Sequence, residues 1–138
     1  SDHAPHTKEE KLKPYPESPS GMPGVQTLLP IMLNHVNNGK MSIFKLCELI
    51  STNPAKLYKA LNKGKIKLNY DADLTIVDLN KKVKITDEMM ANKSGWTPYN
   101  NKNVKGWPVM TIVNGKVIMK DGKLIDTPNG KPVLFDRK

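Results

Sequence analysis

The apolar positions of this chain change their period twice. Residues 1–24 hold five of the eleven prolines and almost no apolar periodicity. From Val25 the spacing becomes helical: Val25, Leu28, Leu29, Met32 and Val36 predict a helix over about 25–38, with Pro30 in its second turn and Asn37-Asn38-Gly39 as its stop. Ser42 offers an N-cap for a second helix over about 42–51. There Ile43, Leu46, Cys47 and Ile50 recur at i, i+3, i+4 and i+7, a core-facing stripe that makes Cys47 a small buried hydrophobe. Asn53-Pro54 then opens a third short helix over about 54–61, with proline at its first position behind an Asn cap.

After Lys63-Gly64 the period becomes alternating. Ile66, Leu68 and Tyr70 alternate, Leu74-Thr75-Ile76-Val77 is short and β-branched, and Val83 with Ile85 suggests another strand. Val109 to Val113 and Val117 to Met119 flank Asn114-Gly115, a strong hairpin signal because both residues tolerate positive φ. Asp121-Gly122 gives a second turn before Leu124-Ile125. Helices therefore precede strands. The strands are few and short, so a sheet built from them alone leaves its edges open.

Composition narrows the functional classes. The net charge of +9 comes almost wholly from lysines scattered along the chain, and Arg137 is the only arginine. A phosphate-reading surface clusters its charge and favours arginine, so nucleic acid is not the expected partner. Cys47 stands alone, which excludes an intramolecular disulfide and a thiolate metal cluster. No run approaches the roughly 18 apolar residues of a membrane span. A reducing, cytoplasmic setting is the expectation.

The chemistry is concentrated at the start. Ser1-Asp2-His3-Ala4-Pro5-His6 offers one carboxylate and two imidazoles within six residues. A carboxylate can ligate zinc and accept a proton from water that a metal has acidified. It can equally be a turn former or a cap beside Pro5, and residue types alone leave both readings open.

Asp2-His3-Ala4-Pro5-His6-Thr7, with Glu9-Glu10-Lys11 behind it, closely resembles the Asp-His-Ala-Pro-His signature of the dihydroorotases, a class I type within the amidohydrolase superfamily. Pro19-Ser20-Gly21-Met22-Pro23-Gly24 is similar to that family's glycine-rich substrate loop, and Leu28-Leu29-Pro30 and Asn53-Pro54-Ala55 resemble segments that follow it. Lys63-Gly64-Lys65-Ile66, Tyr70-Asp71-Ala72-Asp73-Leu74, Thr97-Pro98-Tyr99 and Thr111-Ile112-Val113-Asn114-Gly115-Lys116 extend the likeness over nearly the whole chain. The later segments are shared by many amidohydrolases. The opening motif is the part that points to dihydroorotase rather than hydantoinase or allantoinase.

The resemblance implies an α/β fold: the C-terminal βα portion of a metal-dependent (β/α)8 barrel over residues 1–62, with a substrate loop over 13–24, then the short strands of a small β-sandwich over 63–138. Asp2 matches the aspartate that binds zinc in a binuclear site and acts as general base, at the C-terminal end of a barrel strand where such groups belong. His6 matches the histidine that holds the substrate carboxylate, and Ser20 and Gly21 match backbone contacts to the pyrimidine ring. His3 and His35 are left structural. The implied reaction is the reversible ring closure of N-carbamoyl-L-aspartate to dihydroorotate in pyrimidine biosynthesis.

Two departures stand out. Gln26 replaces a glutamate common in that family, and the His-x-His pair, bridging lysine and two further histidines of the metal site are expected upstream of Ser1. One aspartate does not make a binuclear zinc site. The implied partners are therefore the N-terminal remainder of the same protein, with a homodimer or an aspartate transcarbamoylase as further candidates. The alternatives are a non-catalytic dihydroorotase-like scaffold and a hydantoinase- or allantoinase-type enzyme.

Overall fold

The computed structural model describes residues 2–136 except Asp126, Pro128 and Asn129. The first element is a single helical turn, α1 (Lys8–Lys11), within the stretch that lacks apolar periodicity. Local polar bonds cap it. Thr7 Oγ1 accepts from the Glu10 amide at 3.2 Å and the Thr7 amide donates to Glu10 Oε2 at 2.7 Å, a reciprocal capping box. Those bonds hold the Glu10 carboxyl below its ordinary range, the Thr7 amide first among them.

Helix α2 (Leu28–Asn37) starts three residues later than the apolar spacing suggests. The amides of Thr27 and Leu28 both donate to Gly24 O, so Val25 and Gln26 lie in a turn. Pro30 consequently sits in the first helical turn, where a missing N–H costs no helical bond. The stop falls where expected. Gly39 adopts φ 70°, the Lys40 amide donates to His35 O, and the Gly39 amide donates to Val36 O, which together form a Schellman motif.

Helix α3 (Ile43–Cys47) begins at Ser42, whose Oγ accepts from the Lys45 amide at 3.1 Å. It then runs without a break through a widened π turn (Glu48–Thr52) into α4 (Asn53–Leu57). Asn53 is itself helical (φ −69°, ψ −43°), so the expected Asn cap and separate third helix are replaced by one continuous run. The wide turn lies just before Pro54, whose ring would otherwise meet the carbonyl four residues back. The stripe on this run is only partly inside: Leu46 is buried, whereas Cys47 and Ile50 are exposed. Cys47 is therefore not the buried hydrophobe that its spacing predicts, because no element among the described residues covers that face.

Four antiparallel strands follow as a meander: β1 (Leu74–Lys84), β2 (Asn103–Val113), β3 (Lys116–Lys120) and β4 (Lys123–Leu124). The run from Ile66 to Tyr70 is not a strand. Ile66 is 91% and Leu68 85% exposed, and alternation without a neighbouring strand makes no ladder. Val83 belongs to the same strand as Leu74–Val77, bent by irregularities after Ile76 and Asp78, with Ile85 just past its end. Both predicted turns are present. Asn114 and Gly115 take φ 47° and 79°, and Asp121 and Gly122 take 48° and 78°.

The linker between helices and sheet is pinned by charge. Lys63 Nζ pairs with Asp71 Oδ2 at 3.0 Å and with Asp73 Oδ2, while Asp73 Oδ1 accepts from the Asn114 amide at 2.7 Å. The hydrogen bond to Asp73 raises the Lys63 pKa above its usual value. Burial pushes the Asp73 carboxyl up, but the Asn114 amide and Lys63 outweigh it and leave it lowered.

Helix and sheet meet where β2 touches α2. Gly106 adopts φ 99°, and a Cβ there would lie 2.8 Å from Leu33 Cβ. Around that contact Asn34 Oδ1 accepts from the Lys105 amide at 3.0 Å and Asn37 Nδ2 donates to Lys105 O at 2.9 Å. Ile31, Ile85 and Val104 form the core beside it, flanked by Val83, Met90, Tyr99 and Trp107. Among the described residues no helix is long and apolar enough to cross a membrane.

Gly106→Ala should cost about 2–4 kcal/mol, combining strain at positive φ with overpacking against Leu33. Gly115→Ala, whose Cβ meets nothing within 4 Å, should cost only the backbone strain of about 1–2 kcal/mol. Urea denaturation of the two variants measures the difference.

Candidate active site

The opening motif and the glycine loop fold onto each other as one unit. The Ala4 amide donates to Met22 O at 3.0 Å, and His3 Nδ1 accepts from the amides of Gly24 at 3.2 Å and Val25 at 3.4 Å. Two glycines make the approach possible. A Cβ at Gly21 (φ 95°) would lie 2.5 Å from Ala4 Cβ, and one at Gly24 would lie 2.8 Å from Asp2 O. On the far side of the loop Lys11 Nζ donates to Pro19 O at 2.5 Å and Ser18 Oγ donates to Lys11 O at 3.1 Å.

A cavity of about 270 Å³ opens at this junction, lined by Asp2, Gly21, Met22, Gly24, Thr27, Leu28 and Tyr99. Thr27 is buried and its hydroxyl donates to Gly24 O at 3.3 Å, which closes the floor. Asp2 is exposed into solvent, with Oδ1 accepting from the His3 amide at 2.8 Å. Of the residues singled out from sequence, the fold brings Asp2 and Gly21 to one cavity. Ser20 is exposed beside Gly21, and His6 lies outside the lining, its Nδ1 3.8 Å from Glu10 Oε2. A larger concavity of about 450 Å³, at Lys82–Lys84 and Asn103–Lys105, holds none of the motif residues.

The donor set decides what this chain can offer a metal. His3 Nδ1 is committed to backbone amides as an acceptor, consistent with a structural role. Among the described residues no group of three or more His, Cys, Asp or Glu side chains is arranged to hold an ion. Asp2 by itself offers one carboxylate, and one carboxylate does not hold an ion alone.

Three side chains from outside the motif complete the geometry. Gln26 Nε2 donates to Met89 O at 2.7 Å and its Oε1 accepts from the Ala91 amide at 2.8 Å. A glutamate in its place could accept but not donate, so the departure noted at Gln26 has a local use. The Trp96 indole N–H donates to His6 O at 2.7 Å. Asp87, in a single 3₁₀ turn (Asp87–Met89), takes Lys8 Nζ at 2.7 Å through Oδ2 and the Thr97 amide at 2.9 Å through Oδ1. Lys8 and then that amide hold its carboxyl below the usual carboxylate range. Sequence reasoning missed Asp87, Trp96 and Tyr99. Thr97-Pro98-Tyr99 was a matched segment, but nothing in its spacing shows which cavity it closes.

This fold recurs in known proteins. The model of the amidohydrolase family matches residues 19–118. The chain belongs to the amidohydrolase family. It is 43% identical over 121 residues to a dihydroorotase of Methanosphaera stadtmanae, covering 88% of this chain and 28% of that protein. It is 38% identical over 134 residues to a dihydroorotase of Pyrococcus abyssi, covering 97% and 32%. Among solved structures, a D-hydantoinase from Thermus sp. superposes with a TM-score of 0.86 at 26% identity, over 92% of this chain and 29% of that one. An L-hydantoinase from Arthrobacter aurescens gives 0.76 at 33% identity, over 80% and 25%. This amidohydrolase chain thus spans about a third or less of the curated relatives' length.

A carboxylate whose folded pKa is depressed contributes stability above its unfolded value, and the contribution is lost as pH falls through the folded one. The Asp87 tie to Lys8 and Thr97 should therefore hold at neutral pH and let go below about pH 4. Hydrogen exchange at the Thr97 amide between pH 6 and 3 measures it, and Asp87→Asn should remove most of the acid dependence at that amide.

Proposed function

We propose that this chain supplies the C-terminal part of a zinc-dependent dihydroorotase, which interconverts N-carbamoyl-L-aspartate and dihydroorotate in the cytoplasm. The observation that carries the reading is the cavity shared by Asp2 and Gly21, made by folding the Asp-His-Ala-Pro-His segment against the glycine loop. The dihydroorotases among the chain's relatives support the substrate. In this reading residues 1–62 complete a barrel and residues 63–138 contribute to a β-sandwich.

The surface supports a missing body. A self-contained protein of 15.4 kDa exposes about 7,200 Å², whereas this chain exposes 9895 Å². The excess, about 2,700 Å², is on the scale of an obligate interface. Phe44, Leu57 and Tyr58 on the α3–α4 run are all more than two-thirds exposed. The N-terminal remainder of the protein would cover them and bring the other metal ligands to Asp2.

Each residue then has a task. Zinc, when bound, polarises the ring carbonyl and acidifies water. Asp2 takes the proton as water adds to the amide carbon, and returns it to the ring nitrogen as the C–N bond breaks. In ring closure the same steps run backwards. His6 donates to the substrate carboxylate, where a charge-assisted bond is strong. The backbone at Ser20 and Gly21 faces the ring, in a loop that lies against Ala4 because Gly21 carries no side chain. The hydantoinase structures that superpose on the chain favour a second reading, an enzyme for uncharged cyclic amides. His6 separates the two readings, since an uncharged ring needs no carboxylate partner.

In the full-length enzyme Asp2→Asn should lower kcat for dihydroorotate by about 10³-fold or more, because it keeps the shape and removes the base. A near-normal rate would end the role assigned to Asp2. The 138-residue chain alone should neither turn over dihydroorotate nor retain stoichiometric zinc after gel filtration. Metal analysis that found one tightly held zinc per chain would contradict the shared centre.

A further inference from the structure

The segment from Asp87 to Thr97 reaches back over the opening motif at two points two residues apart, the His6 carbonyl and the Lys8 side chain. Trp96 Nε1 donates to the carbonyl of His6 at 2.7 Å. Two residues later Lys8 is held by Asp87 at 2.7 Å, and Asp87 also takes the amide of Thr97, the neighbour of Trp96. The contacts span 90 and 79 residues of sequence. The indole holds the His6 carbonyl, the His6 amide donates to Ala4 O at 2.9 Å, and the ion pair ties the chain two residues on. Its side chain is 37% exposed, with Nδ1 3.8 Å from Glu10 Oε2, beyond hydrogen-bond distance. A side chain that must meet a ligand charge at hydrogen-bond distance depends on the placement of its backbone.

We propose that Trp96, seconded by Asp87, is a positioning residue that aims His6 and so sets selectivity for a carboxylate-bearing ring. The inference rests on the reading of His6 as the carboxylate partner. It places control of one substrate group in the β-half of the chain, far in sequence from the group it controls. Trp96→Phe keeps the ring packed and removes only the N–H donor. Lys8→Met is a second variant at an exposed position, and it breaks the ion pair while leaving Asp87 bonded to Thr97.

In the full-length, zinc-loaded enzyme, Trp96→Phe should raise KM for dihydroorotate about fivefold, the weight of one hydrogen bond, with kcat changed less than about twofold. Inhibition by hydantoin, which has no carboxylate, should be unchanged. Lys8→Met should shift KM in the same direction by a smaller factor. In the 138-residue chain, hydrogen exchange across His3–Lys8 should quicken in both variants and stay the same in the glycine loop. An unchanged KM, or equal weakening toward hydantoin, would overturn the proposal, the latter by showing general loosening. A wild-type enzyme inert toward dihydroorotate would instead refute the assigned activity. In that case unchanged exchange across His3–Lys8 in Trp96→Phe would refute the restraint separately.

Discussion

Backbone-to-backbone contact between β2 and α2 organises this molecule. At Gly106 the strand comes so near Leu33 that a single Cβ would collide. The side-chain amides of Asn34 and Asn37 then take the N–H and C=O of Lys105, beside the irregularity in the β1–β2 pairing. Buried backbone groups must find partners, and two side-chain amides one turn apart on a helix provide both donor and acceptor. This contact holds the sheet against the helix that begins directly behind the glycine loop. The cavity, with Leu28 on one wall and Tyr99 on another, exists only because that docking is fixed.

The same logic of close approach recurs at the site. Gly21 and Gly24 let the loop lie on Ala4 and Asp2, and His3 stitches the loop by accepting two amides. A histidine in a motif rich in metal-binding residue types is thus used as a hydrogen-bond acceptor, while the exposed Asp2 carboxylate beside it lines the cavity and takes the His3 amide. At Gly64, a Cβ would lie 2.5 Å from Ala55 Cβ, so the linker too is pressed against the helical run by a glycine.

The outer surface tells a complementary story. The α3–α4 run has a good cap at Ser42 and one buried leucine, yet Phe44, Cys47 and Leu57 face solvent. A helix keeps such a face when another body covers it. With the chain covering 28–32% of its curated relatives, the exposed stripe and the lone metal-binding aspartate are two aspects of one proposal: the rest of the barrel supplies both the cover and the remaining ligands.

Local features were legible in the sequence because their causes are local. The Ser42 cap, the Gly39 stop and the turns at Asn114-Gly115 and Asp121-Gly122 each depend on a few residues whose conformational preferences are strong. The helix-then-strand order was readable because the change of period is itself local. Burial of Cys47, a strand at Ile66–Tyr70 and a cap at Asn53 were not, since spacing describes a face without saying what lies against it. Only the tertiary structure decided that Gln26 grips Met89 and Ala91, that Trp96 holds His6, and that Tyr99 walls the cavity. Those contacts join residues 63 to 90 positions apart, and a hydrogen bond over such a distance leaves no period in the chain.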